Sequence, residues 1–265
     1  MIEILVIEGV IKNLKVEDSK IHPLKNLDKD ALGASMLGAL TASSSLATNA
    51  PIMLMAAQGE TAKTFIAEIN GYPIIGQFTT VKFKEDTPLV AVISTEKEKG
   101  RYLVYSILDP QSGLLYMMYE MGRSIKSAYL NLFKWSVFWS IFTFIVIFSI
   151  FILANIFSEN LSSLISTENI KYLFLIFGFS SFIIFLFFFS FIFGSRSVRV
   201  HGSISEKVFN ELKFENTKNQ NFYNQSLLDQ DGMHLSVMEY RKSLKGKDPY
   251  PEDYFKKKNN QNDGD

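Results

Sequence analysis

The fold is decided by WSVFWSIFTFIVIFSIFILANIF at residues 135–157 and by YLFLIFGFSSFIIFLFFFSFIFG at residues 172–194. Each segment has 23 residues, none of them charged, and together they hold 16 of the 24 Phe. A helix of that length is about 34 Å long, enough to cross a hydrocarbon core of about 30 Å. A buried hairpin in a globular core would need only one apolar stripe on each helix, whereas these segments are apolar on every side. They therefore predict a transmembrane helical hairpin.

Residues at the ends of these segments predict the membrane interface. Both Trp of the chain lie on the first turns of the first segment, and amphipathic rings prefer the headgroup boundary. Lys and Arg flank the hairpin, while the connecting loop 158–171 has only Lys171. By the positive-inside rule, we expect a multi-pass protein with both termini cytoplasmic and this loop external. The predicted interface residues are Lys134, Trp135, Trp139, Arg196 and Arg199.

Small and weakly polar residues predict where helices touch. Such residues allow close helix contact in membranes, although Ser and Thr can instead bond to their own backbone. Neither segment contains an ionisable residue, so we do not expect a monomeric transporter, and a pore would need several copies. The candidate contact residues are Ser136, Ser140, Thr143, Gly178 and Ser181 in the hairpin, with Gly33 and Gly38 in an earlier stretch.

The composition excludes several classes of protein. The chain has 265 residues, a formal net charge of zero and 47% hydrophobic residues, which is neither a basic nucleic-acid binder nor a wholly disordered chain. It has no Cys, which excludes disulfides, thiolate metal sites and thiol catalysis.

The sequence before the hairpin predicts a small barrel at residues 1–120. The opening residues read as one or two strands, with Gly9 as a break or bulge. From Thr64, short apolar runs alternate with turn sequences, of which Asn70-Gly71 is the clearest, and VKFKED at 81–86 reads as one of the strands. Five or six such strands indicate an antiparallel barrel of OB-like or SH3-like form, in an α+β membrane protein.

An uncharged stretch at residues 31–59 interrupts the predicted strands. It is rich in Ala, Ser, Gly, Leu and Met, and it reads as a helical insertion. Such an insertion either covers the sheet or docks on a membrane, and the sequence leaves both open. Residues 121–134 predict a juxtamembrane helix that leads into the first span.

After the second span, residues 195–265 predict a short helical cytoplasmic tail. Ser205 resembles an N-cap for the sequence EKVFNELKF, whose apolar face would pack on the barrel or on the membrane surface. Asp231-Gly232 is typical of a turn. The last ten residues, KKKNNQNDGD, are too polar to order themselves by burial and predict disorder.

No catalytic or cofactor motif accompanies these elements. His22, His201 and His234 are scattered without a metal-ligand spacing, and no phosphate loop or nucleophile elbow is present. Asp109 and Glu120 are the carboxylates one would consider for catalysis, but a turn and a helix face explain them more simply. A basic groove with interleaved aromatics is also missing, so nucleic acid is not an expected partner. We therefore expect no enzyme, cofactor or metal.

The order of these pieces resembles a family of bacterial type VI secretion effectors with two transmembrane helices. Between residues 119 and 123, the family's His- and Cys-bearing segment is absent here. The resemblance implies a role in contact-dependent competition between bacteria, with secretion machinery or a cognate immunity or effector protein as partner. From the apolar spans and the flanking charges we expect the bacterial inner membrane as location, and lipid and a homo-oligomer as further partners. The resemblance rests on VIEGVIKNLKVED, the uncharged stretch, EINGYPIIGQ, VKFKEDTPLVAV, YSILDPQSGLLYM and EKVFNELKF.

Two functions follow as expectations. The first is a membrane-targeted antibacterial effector that perturbs the recipient's inner membrane without enzymatic chemistry. The second is a resident inner-membrane binding protein, an immunity protein or an adaptor, that holds a protein partner through its cytoplasmic domain. A third and more distant one is a membrane-anchored nucleotide or nucleic-acid sensor.

Overall fold

The computed structural model describes residues 3–20, 61–98, 100–157, 172, 176–185 and 196–262. The chain divides into two compact units. The barrel unit comprises Met1–Ile125 and Val200–Asp265, and the helical unit comprises Lys126–Arg199. The predicted insertion at 31–59 and the loop 158–171 lie outside the described residues.

The barrel unit contains one sheet with the strand order β3-β2-β1-β4-β5-β6-β8-β7. Its strands are β1 (Ile4–Lys20), β2 (Thr61–Ile69), β3 (Tyr72–Phe78), β4 (Pro88–Glu98), β5 (Arg101–Asp109), β6 (Leu114–Met117), β7 (Ser226–Leu228) and β8 (His234–Glu239). The helices of the described chain are α1 (Ile125–Phe157), α2 (Ile176–Phe185), α3 (Arg196–Glu211) and α4 (Tyr254–Asn262).

The first five strands close into a barrel. β1 pairs with both β2 and β4, and the circle is completed by β3 against the start of β5, where Ile74 lies opposite Tyr102. The prediction of a small barrel is therefore confirmed. Its closing pair is parallel, whereas we expected antiparallel strands throughout. Parallel strands need a crossover connection, and the 23 residues between Phe78 and Tyr102, which include β4, provide it here.

The local predictions within the barrel had mixed outcomes. Asn70 and Gly71 both have positive φ, as a two-residue hairpin turn requires, so that turn is confirmed. The break predicted at Gly9 is wrong, because Gly9 pairs regularly with Leu89 and the irregularity falls at Asn13, where φ is 54°. The strand predicted at 81–86 is also wrong. That segment is a loop in which Glu85 Oε1 accepts a hydrogen bond from the Asn13 amide at 2.7 Å.

Two apolar cores lie on opposite faces of the sheet. The uninterrupted apolar run of β4 serves both, since Leu89, Ala91 and Ile93 face the barrel interior while Val90 and Val92 face the second core. Inside the barrel, the Phe65 ring stacks on Phe78 with centroids 5.3 Å apart. α3 covers the second core with Val208 and Phe209, and Leu212 follows directly after it, so of the two expected surfaces this face packs on the sheet.

The C-terminal residues differ most from the prediction of a helical tail. β8 pairs with β6, and β7 with β8, so residues 226–239 extend the sheet. The turn at Asp231-Gly232 is confirmed, since Gly232 has a φ of 78° between the two strands. α4 continues to Asn262, so the prediction of disorder over the last ten residues is wrong for most of them. Residues 200–265 belong to the barrel unit rather than to a separate tail.

Two helix boundaries also need correction. α1 begins at Ile125 and runs without a break to Phe157, so the juxtamembrane helix predicted at 121–134 and the first span are one helix. Ser205 does not cap a helix, because α3 begins nine residues earlier at Arg196. Inside α3, the Ser205 hydroxyl donates to the His201 carbonyl at 2.7 Å, the back-bonding that Ser makes within helices.

Candidate membrane-binding surface

α1 presents an unusually apolar surface to its surroundings. It has 33 residues, which makes it about 50 Å long. Among the described residues, the stretch Ile125–Ile150 is the one helix long and apolar enough to cross a membrane, and only 6% of its most apolar window is buried. Soluble proteins rarely expose a contiguous apolar face of this size, so the surface indicates contact with lipid or with another protein.

The two Trp lie on this exposed surface. Trp135 and Trp139 are each 55% exposed, one turn apart. Phe138 lies between them, and its ring meets both in edge-to-face contacts with centroids 5.9 and 5.8 Å apart. Phe142 continues the cluster from Trp139. The result is an aromatic cluster of Trp135, Phe138, Trp139 and Phe142 that faces outward.

α2 lies against α1 within the helical unit. The Ser140 hydroxyl is 3.3 Å from both the hydroxyl and the carbonyl oxygen of Ser181. A second contact joins the Phe133 ring, two turns before Ser140 on α1, to the Phe185 ring, one turn after Ser181 on α2, with centroids 6.0 Å apart. Because the residue numbers rise along α1 as they fall along α2, the two helices run antiparallel at this contact.

The structure brings some of the predicted contact residues together and leaves others apart. Ser136 is buried, and Thr143 is half-buried on the same side of α1 as Ser140. Around Gly178, a Cβ built on the glycine would meet none of the described atoms within 4 Å, and its role in helix contact stays a prediction. Gly33 and Gly38 lie outside the described residues.

The predicted basic interface residues lie on two helices, Lys134 within α1 and Arg196 and Arg199 in the first turn of α3. Lys134 is exposed next to Trp135 on α1. Arg196 is the first residue of α3, and Arg199 is exposed in the same first turn.

The carboxylate and the histidines that the sequence offers for catalysis or metal binding lie in ordinary structural positions. Asp109 holds the β5–β6 turn, since its carboxylate accepts hydrogen bonds from the Gln111 and Ser112 amides and from the Ser112 hydroxyl. His201 is buried in α3, and His234 is exposed at the start of β8. Within the described ranges, no three His, Cys, Asp or Glu come together in a way that could hold a metal ion.

Sequence reasoning missed the residues that hold the start of α1 in the barrel unit. Glu206 of α3 accepts a hydrogen bond from the Ile125 amide at 3.0 Å, so a carboxylate 81 residues away caps α1. A Cβ on Gly202 would lie 2.6–2.9 Å from Ile125, so only glycine allows this approach. Gly202 lies before the helix that the sequence predicts from Ser205, so no sequence pattern indicated this contact.

Beside that junction, four side chains from distant segments form a stack. The Arg123 guanidinium lies 4.1 Å from the centroid of the Tyr223 ring, which stacks on Tyr119 at 3.9 Å. The Tyr119 ring also stacks on the His234 ring, with centroids 4.3 Å apart. The four residues come from three separate parts of the chain, since only Tyr119 and Arg123 are close in sequence, so no local pattern predicts the stack.

A second missed network fastens the C-terminal residues to the β5–β6 turn. Arg241 donates hydrogen bonds to Asp248 at 2.9 Å and to the Pro110 carbonyl at 2.5 Å. Tyr240 also donates to Asp248, and burial together with the negative charge of Asp248 raises the pKa of Tyr240. These contacts explain why residues 240–250 belong to the barrel unit.

Comparison with known proteins adds no relative. No family model matches the chain, and neither does any curated protein or solved structure.

Proposed function

We propose that this chain is a two-span membrane protein, in which α1 and the apolar segment 172–194 form a hairpin in lipid. The observation that carries this proposal is the pairing of β6 with β8, which joins a strand before the hairpin to a strand after it. Both ends of residues 126–199 therefore attach to one folded unit, which stays on one side of a membrane. If α1 crosses once, the chain must cross back, and the 172–194 segment has the length to do so.

We infer further that the barrel is of OB type rather than SH3 type. Around the barrel, β1 is followed by β2, β3, β5 and β4, and β4 returns to β1. A closed five-stranded barrel with such a non-sequential order is a Greek-key arrangement of the OB kind.

The function we propose for this architecture is that of a membrane-targeted antibacterial effector. The barrel unit remains on the side from which the protein arrives, while the hairpin enters the recipient's inner membrane and disturbs its permeability barrier without enzymatic chemistry. The exposed apolar surface of α1 and the resemblance to type VI secretion effectors support this proposal. Secretion machinery and a cognate immunity protein are the partners it implies.

The test is inducible expression in a naive bacterium, with the chain directed to the periplasm by an added signal sequence. The membrane potential, followed with a voltage-sensitive dye, should fall before growth stops. The matched control is Ile145→Asp, which places a charge near the middle of the apolar segment 135–157 and should abolish the effect. Normal growth with an unchanged potential would contradict the effector proposal.

The alternative is a resident inner-membrane protein, an immunity protein or an adaptor, whose barrel unit holds a protein partner. The exposed Lys126, Lys134 and Arg199 favour it, because ordinary biosynthesis retains such residues in the cytoplasm. This alternative predicts harmless expression and protection against a toxin encoded beside the gene. The two functions also differ in the side on which the barrel unit lies, which is cytoplasmic only for the resident protein.

A further inference from the structure

We propose that the base of α1 selects anionic phospholipid, with Lys126 and Lys134 holding headgroup phosphates. This inference rests on the proposed membrane function and names the lipid class that surrounds the hairpin. It starts from the first turns of α1, which precede the aromatic cluster.

Two lysines and one leucine form a single stripe on α1. Lys126, Leu130 and Lys134 are spaced four residues apart, so their side chains lie above one another on one face of the helix. All three are exposed, and Leu130 is 51% exposed. Basic residues that flank an exposed apolar residue are typical of helices at a membrane surface, where the side chains extend toward the headgroups.

The charge of this stripe is not compensated within the described part of the helical unit. Its described residues include Lys126, Lys134, Arg196 and Arg199 but no Asp or Glu. Neither lysine takes part in an ion pair among the described residues. In the barrel unit, by contrast, several exposed lysines are paired with carboxylates, as Lys63 is with Asp18 and Lys257 is with Asp253.

The position of the stripe along α1 suits the headgroup layer. Lys134 directly precedes Trp135, whose ring marks the interface in the proposed arrangement. Lys126 lies nine residues before Trp135, a rise of about 13 Å along the helix. The headgroup layer is about 5–8 Å thick, and charges act over a Debye length of about 8 Å. Both ammonium groups are therefore close enough to attract phosphates.

Lipid selectivity can be measured from the protein's own fluorescence, because both Trp of the chain lie on α1. The full chain is reconstituted in bilayers that contain brominated phosphatidylglycerol or brominated phosphatidylcholine, and the quenching of Trp fluorescence is compared. One cation near the surface is worth roughly a five-fold preference, so two set a ceiling of about 25-fold for the anionic lipid. We expect a several-fold preference that 0.5 M salt weakens.

Lys126→Gln/Lys134→Gln should bring the preference close to one. The matched control is Lys12→Gln/Lys15→Gln, which removes two exposed lysines from β1 and should leave the preference unchanged. Equal, salt-insensitive quenching by both lipids would overturn this inference while leaving the membrane proposal intact. Absence of quenching by either lipid would overturn the proposed function itself.

Discussion

Phenylalanine has opposite surroundings in the two units of this protein. In the barrel unit, Phe65 is fully buried among other aromatic rings, whereas in the helical unit Phe138 is 55% exposed. The same holds for isoleucine, since Ile93 of β4 is fully buried and Ile150 of α1 is 61% exposed. The barrel unit therefore buries most of its large apolar side chains. The helical unit exposes its apolar side chains to its surroundings, which we propose are lipid.

The largest difference between the units should appear when phenylalanine is truncated. Phe65→Ala removes a ring that contacts Phe78 and Phe83, and it should lower the free energy of unfolding of the barrel unit by about 3–5 kcal/mol. Phe138→Ala should change it by less than about 0.5 kcal/mol. Urea unfolding in detergent, followed by circular dichroism, measures both variants. Equal losses would contradict the comparison.

A charged substitution at an exposed apolar position should be costly in the helical unit and tolerated in the barrel unit. Ile145→Asp places a carboxylate near the middle of residues 135–157, and it should oppose insertion by about 2.5–3.5 kcal/mol. Resistance of the membrane-bound protein to alkaline extraction reports this effect. Val16→Asp is the control, because Val16 is exposed on β1 and should tolerate the charge. If both variants stay equally membrane-bound, α1 does not have lipid as its solvent.

Two glycine substitutions compare how tightly the two units are packed. A Cβ on Gly76 of β3 would lie 2.4 Å from the Phe65 ring, so Gly76→Ala should destabilise the barrel unit by about 1–3 kcal/mol. Gly178→Ala on α2 meets none of the described atoms within 4 Å and should be neutral or slightly stabilising. Thermal unfolding in detergent distinguishes them, and a larger loss at Gly178 would reverse the interpretation.

The smallest effect concerns alkaline pH. Burial, followed by the hydrogen bond to Glu8 and the charge of Glu8, raises the pKa of Tyr254 to about 12. Because its pKa is raised on folding, this contact stabilises α4 fully below pH 10 and is lost as the pH rises toward 12. The helical circular dichroism signal of the barrel unit should therefore fall by the contribution of α4 in that window. Tyr254→Phe should remove the pH-dependent step, and an unchanged step would contradict this assignment.

Local features of the fold could be predicted from the sequence. The 135–157 segment is helical because its apolar run has no interruption, and Asn70-Gly71 forms a turn because both residues tolerate positive φ. The strand β4 follows from its continuous apolar residues. Each of these depends on neighbours in the sequence.

Features that depend on distant residues could not be predicted. The barrel closes through Ile74 and Tyr102, and α1 is capped by Glu206, in both cases across a long separation. β7 has only three residues, too few to show a strand period. Of the candidate membrane surface, the aromatic cluster follows from the sequence. The sequence names Ser140 and Ser181 among several small residues for helix contact, but it does not predict that these two meet.

Single-cysteine labelling tests the central claim that a split barrel unit is joined by a two-span hairpin. The chain has no Cys, so Glu3→Cys and Lys256→Cys provide unique exposed sites near its two ends. A membrane-impermeant maleimide is applied to spheroplasts and to inverted vesicles. We predict that both sites react in the same one of the two preparations and are protected in the other. Reaction of the two sites in opposite preparations would contradict the account.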